Sequence, residues 1–107
     1  MKSRNTNDNI DELFDEMNNR NHDVIIRGVN DKTPIVNYKA ILSGTREGMK
    51  DRAFIKGLKR LKKSEIILLG GVKLSDFAIA ALDLLNIEKY VGEDEHIKKY
   101  ISSNFDF

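Results

Sequence analysis

The chain contains no cysteine, which excludes disulfide scaffolds, thiolate metal centres and cysteine nucleophiles. Tryptophan is also absent, proline occurs once, and histidine occurs only at His22 and His96. Two imidazoles are too few for a multi-histidine zinc centre. There is no run of ~18 apolar residues, so no segment is suited to crossing a bilayer as a helix. The N-terminal stretch MKSRNTNDNIDELF has no apolar centre and does not read as an export signal, which points to a cytoplasmic protein. Neither sign of charge dominates. Lysine and arginine number 18 against 17 acidic residues, for a net charge of +1, which argues against a generic polyanion binder. What remains is 107 residues, 40% of them hydrophobic, enough for one domain with a modest core.

Within that frame the apolar residues recur at helical spacing. Residues 1–7 carry no period and read as a disordered tail, leaving a single helical domain over 8–107. Ile10, Leu13, Phe14 and Met17 share one face, with Asp8 or Asn9 as cap and Asp11 and Glu12 placed to complement the helix dipole. Thr33-Pro34 predicts a helix start, because proline fits the first helical position. Ile35, Tyr38, Ile41 and Leu42 then predict a helix from Pro34 to about Ser43, ending in a left-handed residue at Gly44. From Asp51 to Lys63, Phe54, Ile55, Leu58 and Leu61 make an apolar stripe, and Gly57 marks a close helix contact. Ser75 is expected to cap a helix that is apolar almost all round through Leu85 and hence central. Asp83 inside it needs a basic or backbone donor. Ile97, Tyr100 and Ile101 predict a last helix over Asp94–Ser102 that exposes Lys98 and Lys99. Tyr38, Tyr90 and Tyr100 are expected to place rings in the core and hydroxyls at its edge.

Two segments stay open. Val24–Val29 is β-branched enough for a strand, yet Asp23 and the spacing of Val24, Ile25 and Val29 also suit a short helix. Glu65–Leu69 reads either as a short helix capped by Ser64 or as a buried strand before Gly70-Gly71. The fold class expected is all-α, a compact stack of five to six short helices. An α+β domain with a short N-terminal β-hairpin is the alternative.

Candidate chemistry is sparse. Glu93, Asp94 and His96 can gather a metal ion, but the same residues suit a solvated helix N-terminus. Gly70-Gly71 lacks the spacing of a phosphate-binding loop and reads as a break before the central helix. The one charge asymmetry lies between Arg46 and Lys63, which holds eight basic and two acidic residues. Arg52, Lys56, Lys59, Arg60 and Lys63 form a basic face that suits a phosphate backbone, an acidic partner or plain solvent. Asp8, Asp11, Glu12, Asp15 and Glu16 are an acidic counterpart. The two patches can pair within the fold or between subunits, so a homo-oligomer stays open.

The stretches TPIVNYKAIL, AFIKGLKRLK and LSDFAIAALDLL resemble HEAT-like α-solenoid repeats, in which antiparallel helix pairs stack and the second helix carries an alanine-rich inner stripe. The resemblance spans about residues 33–102 and implies a helical stack with a protein-binding habit and no catalytic residue. DVIIRG, YKAILSG and AALDLLNIEKY are also similar to a BTB/POZ domain, although the spacer and third strand of such domains are missing between Met49 and Phe54. The function expected is non-enzymatic protein binding, in concrete form an immunity or inhibitor protein that sterically neutralises its partner. It involves no catalytic residue, metal, cofactor or membrane. The alternative is nucleic-acid binding through the basic helix over 51–63.

Overall fold

A computed structural model describes residues 21–105, which form α1 (His22–Val29), α2 (Pro34–Arg46), α3 (Arg52–Leu61), α4 (Leu74–Leu84) and α5 (Glu95–Ser103). The tail over 1–7, the helix expected around Ile10–Met17 and the acidic patch from Asp8 to Glu16 lie outside the described residues. Among the described residues there is no strand, only an isolated antiparallel bridge between Ile67 and Lys73. The fold is all-α, and no β-hairpin forms among the described residues. Also among the described residues, no helix is long and apolar enough to cross a membrane.

The segment left open at Val24–Val29 is helical because its start is capped and its inner face is buried. Asn21 Oδ1 accepts from the Val24 backbone N–H at 3.3 Å, and Asp23 sits in the first turn. Val24, Ile25 and Val29 are buried, and that burial outweighs the strand preference of β-branched residues. The far end of α1 is sealed from another helix. The buried Asn37 side chain donates from Nδ2 to the carbonyls of Gly28 at 2.8 Å, Val29 at 3.3 Å and Asp31 at 2.9 Å. Helix C-termini leave such carbonyls without partners of their own.

Pro34 opens α2 as expected, but the helix runs through Gly44 to Arg46. The left-handed residue is Gly48 instead, with φ of +67°. Met49 N–H then donates back to the Gly44 carbonyl at 3.0 Å. Gly44 has a different duty: a β-carbon there would collide with the ring of Phe54. Gly57 does mark a close contact, since a β-carbon on it would lie 2.7 Å from Val29 Cγ1.

The alanine-rich α4 is the buried centre and packs on α2, α3 and α5. It starts at Leu74, one residue ahead of the expected Ser75 cap. The Leu74 N–H donates to the Ile66 carbonyl at 3.1 Å, which draws the fully buried Leu74 into the first turn. Helix α1 packs on α2 and α3, so the pair α1–α2 lies against the pair α3–α4 through α1 on α3 and α2 on α4. Asp83 finds its donor in the backbone: Tyr90 N–H reaches its Oδ2 at 2.8 Å. Phe77 gathers the aromatic residues, stacked on Tyr38 at 4.7 Å and edge-on to Tyr100 at 4.5 Å and Phe105 at 5.4 Å.

Past α5, Asn104 and Phe105 both take left-handed backbone, with φ of 56° and 58°. This turn folds Phe105 into the core, and its carbonyl accepts from an Arg46 guanidinium N–H at 3.2 Å.

Candidate functional site

The expected basic face is solvent-exposed, but the structure divides its members between two tasks. Arg60 turns inward along the surface. Its guanidinium donates to the Val29 carbonyl and to Asn30 Oδ1, each at 3.2 Å, placing a cation at the C-terminus of α1. Lys62 donates to Glu88 Oε1 at 2.7 Å, and Lys59 lies 4.0 Å from the other oxygen. That hydrogen bond, with both ammonium charges adding to it, holds the Glu88 carboxyl below its ordinary range. Arg52, Lys56 and Lys63 make no ion pair among the described residues.

Glu65–Leu69 is neither a helix nor a buried strand. Leu68 N–H donates to the Val72 carbonyl at 2.6 Å, and Gly70 and Gly71 turn the chain with φ of 86° and 80°. The result is a short extended tongue between α3 and α4. Leu68 packs against the core, but three apolar neighbours point outward: Ile66 is 43% exposed, Ile67 61% and Leu69 100%. A cleft of about 330 Å³ runs along its base, lined by Ser64, Glu65, Ile66, Ile67, Lys73 and Ser75.

A second cluster forms where the N-termini of α4 and α5 meet. Asp94 caps α5, its Oδ1 accepting from the backbone N–H groups of His96 at 2.9 Å and Ile97 at 3.1 Å. Asp76, in the first turn of α4, brings its carboxylate to this point, so that one ligand atom each from Asp76, Asp94 and His96 lies within 4.8 Å of the others. Burial lifts the Asp76 carboxyl above its ordinary range, and the Asp94 charge lifts it further. Burial likewise raises the Tyr100 hydroxyl, with Asp76 the next contributor.

The expected trio of Glu93, Asp94 and His96 is corrected in one member. Glu93 is exposed and pairs with Lys98 at 2.8 Å, while Asp76 takes its place from across the fold. His22 stands apart, 3.8 Å from Glu47 at the end of α2. In the sequence Asp76 reads only as a first-turn residue that complements the helix dipole. The available signal was that its helix is apolar all round, so any charge on it meets a neighbouring helix rather than water. Comparison with models of known protein families, with curated proteins and with solved structures finds no match to this chain.

Proposed function

We propose that the chain is a non-enzymatic protein-binding module, a HEAT-like helical stack that covers a partner's working face as an immunity or inhibitor protein does. The observation that carries this is the tongue: Leu69 is 100% exposed at its tip, with Ile67 at 61% beside it. Leaving such side chains in water forgoes about 1.5–3 kcal/mol each relative to burial, which a binding partner can recover. Lys62 and Lys63 precede the tongue and Lys73 closes it. The complementary partner surface is an apolar depression with a carboxylate rim. The stacking of α1 on α3 and α2 on α4 supports the HEAT-like reading, since successive helix pairs of a solenoid stack in this manner.

The test is paired capture from the native host. The wild-type chain retains a protein at one-to-one stoichiometry, and Leu69→Asp loses it while unfolding at the same temperature. Equal recovery by both chains overturns the role of the tongue. Absence of any stoichiometric partner overturns the proposal. Loss in Leu69→Asp of a sedimenting dimer identifies a second copy of the chain as the partner.

Nucleic-acid binding through α3 is the second reading, favoured by Arg52, Lys56 and Lys63, which no described carboxylate pairs. It requires affinity for DNA or RNA that falls steeply with salt and disappears when Lys56, Lys59, Arg60 and Lys63 become glutamate. Undetectable binding at low salt removes it.

A further inference from the structure

We propose that Asp76, Asp94 and His96 bind one divalent transition-metal ion of the Zn²⁺ class, with water completing its shell. The donor atoms lie within 4.8 Å of one another, at the junction of α4 and α5. The observation that asks for a ligand is Asp76. The residue is only 8% exposed, and its carboxylate, whose oxygens keep an edge on solvent, accepts no hydrogen bond and makes no ion pair among the described residues. Lys73 is near enough to influence the carboxylate but makes no ion pair with it. Even a largely buried carboxylate without a protein partner carries a desolvation cost, and an ion held between it and neighbouring donors offsets that cost.

The other two ligands are suitably prepared. Asp94 Oδ1 is occupied by two backbone N–H groups, which fixes the carboxylate and leaves Oδ2 for the ion. His96 is exposed, so its ring can swing the short distance that brings all three donors to bonding range. Zn–O and Zn–N bonds run about 2.0–2.2 Å, so ligand atoms of one ion stand at most about 4.4 Å apart, close to the 4.8 Å within which these three lie. The described donors are two carboxylates and one imidazole, whose combined charge offsets that of the ion. An imidazole in the set favours Zn²⁺ or a similar first-row ion over Mg²⁺ and Ca²⁺, which prefer oxygen alone.

The experiment is calorimetric titration of the EDTA-stripped full chain with ZnCl₂ near neutral pH, in a buffer that does not chelate. The result expected is one saturable site, with a rise in unfolding temperature on loading. His96→Ala, a change at an exposed position, weakens binding by at least about 10-fold, the least that loss of even an outer-shell partner costs, and Asp76→Asn does the same. His22→Ala and Glu93→Gln leave the affinity unchanged, and MgCl₂ fails to compete. Absence of saturable Zn²⁺ binding overturns the proposal, as does equal affinity in wild type and His96→Ala. Loss of the site in His22→Ala would also overturn it, by moving the ion elsewhere.

Discussion

The outer edge of the Phe54 ring occupies the space into which any side chain at Gly44 would project. Both residues are buried, and the contact locks α3 against α2. Gly44→Ala is expected to destabilise the protein by about 1–3 kcal/mol, the usual cost of forcing atoms into a filled core. Phe54→Leu in the same chain should recover part of that loss. Urea unfolding of the two single variants and the double variant measures the coupling, which is absent if the residues do not compete for one space.

Asn37 reaches out of α2 to three carbonyls at the end of α1. Asn37→Ala removes this buried donor while Gly28 and Val29 keep bonds from the Asp31 N–H and the Arg60 guanidinium, so a loss of about 0.5–1.5 kcal/mol is expected. Lys56→Ala, on the exposed side of α3, should stay within about 0.5 kcal/mol of wild type. Comparable losses in both variants would show that the carbonyls find water.

Glu88 carries the clearest acid-side effect. Its folded-state pKa is lowered, chiefly by the Lys62 hydrogen bond, so its contribution to stability is present above the ordinary value of 4.5 and is lost as pH falls below it. The pair is partly exposed, which limits the effect to about 0.2–1 kcal/mol and makes it salt-sensitive. Wild type and Glu88→Gln should differ at neutral pH and converge in acid. A difference that persists into acid would assign the effect to packing instead.

Asp76 has the opposite sign. Its folded-state pKa is raised, so the folded chain gains relative stability at or below the ordinary value of 3.8 and loses it as pH rises through the raised one. In EDTA-treated protein, Asp76→Asn should unfold at a higher temperature than wild type near neutral pH. The gain should shrink toward acid. A less stable variant at neutral pH would mean that the carboxylate has a protein donor.

Much of the helical frame was legible because apolar spacing records which face is buried. Phe54, Leu58 and Leu61 for α3, and Phe77 to Leu82 for α4, are cases in point. Gly57 as a contact and a donor for Asp83 were legible for similarly local reasons. Gly44 was misread because a glycine needed for space and a glycine needed for positive φ look alike in a sequence. Ile67 and Leu69 were misplaced because hydrophobicity argues for burial, and only the turn at Gly70-Gly71 carries them outward. The candidate metal cluster was half legible. Asp94 and His96 are neighbours in the chain, whereas Asp76 reaches them only through the packing of α4 on α5. The basic face was read from a helical wheel, which cannot see that Arg60 abuts the end of α1.

Phe105 gives the chain its own stopper. The left-handed turn after α5 presses the ring against Phe77, while its carbonyl is tethered to Arg46 at the end of α2. Trimming the chain ahead of this residue would open a ring-sized hole and untie the two helices together.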